Sequence, residues 1–210
     1  SDVCSSDLIN SYKEGWSIFV SSLAVNLYTA TNIVVLGMLT NNVIVGYYSA
    51  ADKLITCVRR GIYAVSDAIY PFISKMMKDD ISKGLQFIKK QIFLYLVVGL
   101  IGCTSLFFFS DTIVKLLFGA DYNLTVDVLR ILSFVPLAVA ISTVFGEETM
   151  LPLNMNSAYS RTLVLAAFFS LLSIFPLCYL WGAKGVAMTM LLTEFLIMII
   201  MGVLLWKRLL

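Results

Sequence analysis

At 210 residues, 60% of them hydrophobic and 13% charged, with a mean hydropathy of +0.91, the chain is too apolar for a soluble domain, which is about 45–50% apolar and about 25% charged. The composition predicts an all-α integral membrane protein. A net charge of +2 gives no basic field for nucleic acid, and a chain without histidine has no His-based relay, triad or His-ligated zinc of its own. No Walker A pattern points to ATP hydrolysis. Cys57, Cys103 and Cys178 sit in separate apolar stretches at no metal-ligand spacing, so no metal and no cofactor are expected.

The chain opens on a polar octapeptide, SDVCSSDL, with neither the basic nor the apolar region of a secretory signal. Written as codons, TCA GAC GTG TGC TCT TCC GAT CT, it resembles the end of a sequencing-library adapter. Residues 1–8, with Cys4, are therefore expected to lie outside the fold, and residues 9–210 to form one transmembrane unit. A transmembrane helix needs roughly 20 mainly apolar residues. The uncharged stretch from Gly15 to Ala51 is too long for one span and breaks at the turn-forming Thr40-Asn41-Asn42. That predicts a first span over Trp16–Leu39 and a second over Val43–Met76. Gln91–Ser110 is a third, Ile131–Gly146 a fourth, Thr162–Ala183 a fifth and Gly185–Trp206 a sixth. Pro136 and Pro176 permit kinks in the fourth and fifth spans. Tyr47-Tyr48 and Trp181, at span ends, read as interfacial anchors.

Lys and Arg collect on the cytoplasmic side of membrane proteins. If six spans alternate, Lys13, Lys75, Lys78, Lys83, Lys89, Lys90, Arg161, Lys207 and Arg208 share one face. Lys115, Arg130 and Lys184 share the other. Nine against three places both ends of the chain in the cytoplasm.

The three remaining cations fall inside the second span. Its polar residues Asp52, Thr56, Arg59, Arg60, Tyr63, Ser66 and Asp67 recur at three- and four-residue steps, which makes one stripe of a helix, while Leu54, Val58, Ile62, Val65, Ile69 and Phe72 line another face. Arg59 and Arg60 fall near the bilayer midplane, where a cation costs roughly 3 kcal/mol on insertion scales. No acidic residue lies three or four positions from either. They must face water, a carboxylate on another helix, or an anionic ligand. One reading is a water-filled cavity with a cationic wall suited to phosphate. The other is a buried ion pair with Glu147, Glu148, Glu194 or a residue absent from this chain. Asp52-Lys53 also fits an interfacial position. Glu194 is either a lumenal carboxylate or a hydrogen-bond partner for a neighbouring helix, and Glu147-Glu148 reads as solvated at the cytoplasmic end of the fourth span.

GYYSAADKL at Gly46–Leu54, followed by an amphipathic helix reaching Tyr70-Pro71 and Ile73-Ser74, resembles the Wzx-type lipid-linked oligosaccharide flippases of the MOP superfamily. LLFGADYNLTVDVLRILSFVPL (Leu116–Leu137) is similar to a later inter-helix connection of that family, and WGAKGVAMTMLLTE (Trp181–Glu194) to its final hairpin. The resemblance covers Ile9–Leu210. It implies a MATE-like bundle of roughly twelve to fourteen helices in two pseudo-symmetric lobes around a central cavity, worked by alternating access. This chain would then be the C-terminal lobe, six transmembrane helices of a longer protein whose N-terminal lobe is a partner.

The resemblance further implies a non-enzymatic flippase of the bacterial inner membrane. It would translocate undecaprenyl-diphosphate-linked oligosaccharide repeat units for surface polysaccharide such as O-antigen. Membrane lipid and the polysaccharide polymerase machinery would be its further partners. The lumenal substrate-binding residues would be Arg59, Arg60, Lys53, Asp67 and Glu194. One rival is a cation-coupled MATE-like drug antiporter, which would favour carboxylates in its cavity. Another is a membrane polymerase or ligase of the same pathway, which would need a larger extramembrane loop than any here.

Overall fold

The computed structural model describes residues 2–119 and 122–209, with side chains from Gly15 onward except at 17, 18 and 21. Seven α-helices and one π-helical turn follow one another: α1 (Asp2–Leu39), α2 (Asn42–Asp79), α3 (Ile81–Phe118), α4 (Asn123–Leu132), α5 (Val135–Phe145), the π-turn (Gly146–Met150), α6 (Asn156–Trp181) and α7 (Ala183–Leu209). No strand occurs among the described residues. Five segments are long and apolar enough to cross a membrane: Ser22–Leu39, Ile81–Phe118, Asn123–Met150, Asn156–Trp181 and Ala183–Leu209. The all-helical membrane class is as expected. The charged helix α2, the second of the six expected spans, is 38 residues long but too polar along its stripe to join that group. The backbone of Asp2–Leu8 continues α1; Ser1 and the octapeptide's side chains, like that of Lys13, lie outside the described residues.

The turn at Thr40-Asn41-Asn42 falls where its residue types require. The Thr40 hydroxyl donates to the Leu36 carbonyl at 2.5 Å, and the Asn41 side chain caps α2 by accepting from the Ile44 N–H at 3.0 Å. The lysine-rich stretch between the second and third spans is helical almost throughout. Asp80 alone separates α2 from α3: its N–H closes α2 on the Met76 carbonyl at 2.9 Å, and its carboxylate caps α3 through the N–H groups of Ser82 and Lys83. The third span is therefore longer than the apolar core Gln91–Ser110, because the flanking Lys83, Lys89 and Lys90 extend the helix rather than end it.

The fourth span is broken. It starts at Asn123 rather than Ile131, and Ser133-Phe134 interrupts it immediately before Pro136, which sits in the first turn of α5. Proline has no N–H to continue the helix and disfavours helical geometry just before it. Pro176 and Pro71, by contrast, lie within continuous helices. Tyr48 is not an anchor: it is buried, with its hydroxyl 3.9 Å from the Met190 sulfur. Tyr47 packs edge-on against Tyr122 with ring centroids 5.1 Å apart. Trp181 is exposed.

α1 lies along α6, α6 along α7, and α5 sits between α7 and α3, while α4 fills the space between α2, α3 and α7. The largest apolar core lies where α1 turns into α2, with Leu36, Tyr48, Ile55, Leu129, Leu132 and Val186 closed against one another. The hairpin between α6 and α7 depends on two glycines. Gly182 adopts φ +56°, and a Cβ on Gly185 would stand 1.9 Å from the Leu177 carbonyl oxygen. Gly185→Ala in the full-length protein is expected to cost at least the roughly 1–3 kcal/mol of an overpacked core, read as a lower midpoint of thermal unfolding in detergent, because the atom it meets is backbone and cannot rotate aside.

Most hydroxyls inside the bundle bond their own helix. Thr162, Thr189 and Thr193 each donate to the carbonyl four residues back, at 2.8–3.0 Å. Polar links between helices are correspondingly few among the described residues, the Thr125 hydroxyl donating to the Tyr47 carbonyl at 2.9 Å being one.

Candidate functional site

A cavity of about 900 Å³ lies between α1, α2, α5, the π-turn, α6 and α7. The polar stripe of α2 forms one wall: Thr56, Arg59, Arg60, Tyr63, Asp67 and Tyr70 all line it, at the spacing that puts them on one helix face. The opposite face of α2, with Val58, Ile62 and Val65, borders a separate apolar groove of about 330 Å³ against Gly99 and Gly102 of α3. α2 thus divides a polar compartment from an apolar one, as its two-faced sequence requires.

Of the five residues expected in the site, four line the cavity. Arg59 pairs with Glu194 of α7, Nη2 to Oε1 at 3.2 Å, and both are buried, with only 8% and 3% of their surface exposed. The Tyr28 hydroxyl of α1 donates to the same Oε1 at 3.1 Å. Arg59 is therefore neutralised by another helix, one of the two readings its sequence left open. Arg60, one residue on and rotated away, is exposed to the cavity and forms no ion pair among the described residues. Asp67 lines the wall and is exposed. Lys53 is exposed and lies outside the lining.

The wall is mixed in charge rather than cationic, because Asp67, Glu147 and Glu194 stand in it with the two arginines. Glu147 and Glu148 are also not a solvated pair at a helix end. The π-turn separates them, Glu147 facing the cavity and Glu148 fully buried with the Ser66 hydroxyl donating to its Oε1 at 2.7 Å. The contribution of α1 was not foreseen. Ser22, Asn26 and Thr29 line the cavity at i, i+4 and i+7, a polar spacing present in the sequence of the first span. Tyr159 of α6 closes the far side.

A family described as polysaccharide biosynthesis protein matches residues 3–77, the length of α1 and α2. A protein of Escherichia coli strain K12 assigned as an O-antigen transporter is 32% identical over 187 residues, which is 89% of this chain and 45% of the relative. The chain is thus similar to the polysaccharide biosynthesis protein family over α1 and α2, and to this relative over most of its own length. A Shigella dysenteriae relative with the same assignment is 29% identical over 195 residues, 93% of this chain and 48% of its own. A capsular polysaccharide biosynthesis protein, CapF, of Staphylococcus aureus is 27% identical over 184 residues, 85% of this chain and 45% of its own. The chain spans about half the length of the curated relatives it matches. No solved structure matches it. With five helices able to cross a bilayer, the chain is a multi-pass membrane protein, and its polar cavity lies inside the bundle.

Proposed function

We propose that the protein carrying this chain translocates undecaprenyl-diphosphate-linked oligosaccharide repeat units across the bacterial inner membrane, with residues 9–210 as one lobe of a two-lobed, MATE-like transporter. The observation that carries this reading is the cavity: about 900 Å³ lined by arginines, tyrosines and small hydroxyls, inside a chain related to proteins assigned as O-antigen transporters. Sugar rings present hydroxyl edges to side chains such as Asn26, Thr29 and Ser142, and apolar faces to tyrosines. Arg60 supplies a fixed, forked cation for a phosphate oxygen.

On this reading α2 also crosses the membrane, which brings the crossings to six. At about 1.5 Å per residue its length is ample, and Glu194 offsets the buried charge of Arg59. Both ends of the chain then face the cytoplasm with the nine clustered cations. The cavity residues Asp67, Tyr70, Glu147 and Tyr159 lie in the cation-rich half, while the largest apolar core closes the other. Asp67 and Glu147 in the wall favour a second reading, a cation-coupled drug antiporter.

Reconstitution separates the two. The full-length protein in proteoliposomes is expected to move a fluorescent undecaprenyl-diphosphate oligosaccharide between leaflets. Movement of a cationic dye with no movement of the labelled glycolipid would select the antiporter.

A further inference from the structure

The apolar groove on the outer face of α2 takes no part in the cavity, from which α2 separates it. Val58, Gly61 and Val65 of α2 and Val98, Gly99 and Gly102 of α3 line it, with α5 as its floor. Gly99 packs against the Leu137 side chain, but a Cβ on Gly61 or Gly102 would meet no atom within 4 Å. Those two glycines therefore serve no close helix–helix contact among the described residues, although glycine weakens a helix relative to alanine. What they leave is room, about 330 Å³ of it, on a flank where Val65 and Val98 are about half exposed.

Toward the lysine-rich end the same flank turns from apolar to basic. Val98, Leu94, Lys90, Phe87 and Lys83 recur at three- and four-residue steps along α3, and Val65, Phe72 and Lys75 at seven and three along α2. The Phe72 and Phe87 rings meet edge-on across the hairpin, centroids 5.6 Å apart, which sets the two stripes side by side. All three lysines are exposed. Lys83 reaches the Asp80 carboxylate at 3.6 Å, whereas Lys75 and Lys90 form no ion pair among the described residues. Residues 75–90 hold five lysines against Asp79 and Asp80, so this end keeps a positive surplus. At about 1.5 Å per residue, Val65 lies about 15 Å along the axis from Lys75, and Val98 about 12 Å from Lys90. One leaflet of hydrocarbon is about as deep, being half of a core of roughly 30 Å.

We infer that the α2–α3 flank binds an anionic phospholipid of the surrounding leaflet, its phosphate on Lys75 and Lys90 and one acyl chain in the groove between Val65 and Gly102. Unpaired cations at the end of membrane helices attract anionic headgroups, and the long lysine stems let the charge reach the interface from apolar ground. The groove supplies what charge alone does not, a slot one leaflet deep directly beneath the cations. A glycan-bearing lipid held here would have its sugars across α2 from the cavity, so the occupant is a phospholipid of the bilayer itself. The site stands whether or not the cavity accepts a glycan.

The test is native mass spectrometry of the purified, delipidated full-length protein, titrated with phosphatidylglycerol or with phosphatidylcholine of the same acyl chains. The first phosphatidylglycerol is expected to bind more tightly than the first phosphatidylcholine, by roughly fivefold for each lysine engaged. K75Q/K90Q is expected to bring phosphatidylglycerol down to the phosphatidylcholine level. G61L/G102L fills the slot with a better helix former. With every lysine still in place, it is expected to weaken phosphatidylglycerol binding about tenfold through lost chain contacts. Equal binding of the two lipids by the wild type, or unchanged phosphatidylglycerol binding in either variant, overturns the proposal. In G61L/G102L that result would mean that the lysines attract headgroups unaided, or that the other half of the protein covers the groove.

Discussion

Glu194→Ala in the full-length protein is expected to deplete folded protein from the membrane, through a loss of about 3–5 kcal/mol, the cost of stranding one member of a buried ion pair. The geometry makes the cost concrete. Glu194 Oε1 accepts from both Arg59 and Tyr28, so its removal orphans a guanidinium and a phenol at once. The Arg59 Nε has no partner even in the intact structure, and the neutral Tyr63 that remains beside the guanidinium carries no charge to replace the carboxylate. Replacing both partners, Arg59→Met with Glu194→Met, is expected to restore the unfolding midpoint to near wild type, because paired apolar replacements remove the desolvation cost along with the attraction. Surface polysaccharide is expected to remain absent in the double variant if Arg59 serves the substrate as well as the fold. Its return would reduce Arg59 to a structural role.

Arg60→Ala is expected to behave in the opposite way. It forms no ion pair among the described residues and faces the cavity, so abundance and unfolding midpoint should hold within the small range typical of exposed positions. Export of surface polysaccharide should fall about 10- to 100-fold, the loss of one charge-assisted contact or two. Arg60→Lys should recover only part of it, since a point charge cannot reproduce a fork aimed at two phosphate oxygens. Unimpaired export by Arg60→Ala in a null strain would remove this residue from the substrate path.

The two arginines are adjacent in sequence and opposite in role, and this difference shows what could be read from residues alone. The stripe on α2 was legible because it is local: a periodicity of three and four needs only the helix. So was the break at Thr40-Asn41-Asn42, where short polar side chains cap and end helices through their own backbone. The partner of Arg59 was not. Three carboxylates of this chain and one outside it were candidates, and the choice lies 135 residues away in sequence, in how α7 sits against α2. Glu148 was misplaced for the same reason. At the end of an apolar run it looks solvated, and only the packing of α2 and α3 around the π-turn buries it. The extent of α3 was underestimated because the span was bounded by its uncharged run, whereas the lysines before it are good helix formers and carry the helix on. The family resemblance reached further than the physical reading, since three stretches in order carried it across the chain.

The hydroxyls that fold back onto their own helices bear on how such a bundle deforms. A threonine tied to its own carbonyl offers nothing directional to the helix beside it, so the neighbouring surfaces meet mainly through dispersion, which is insensitive to small sliding. Shear along these contacts meets little resistance until it reaches the cross-links, which gather around α4 (Thr125–Tyr47, Arg130–Ser110, Lys184–Asp127) and at Glu194 and Glu148. Beside the cavity those two carboxylates act as rivets, and the groups that hold or release them set where that side of the bundle can yield.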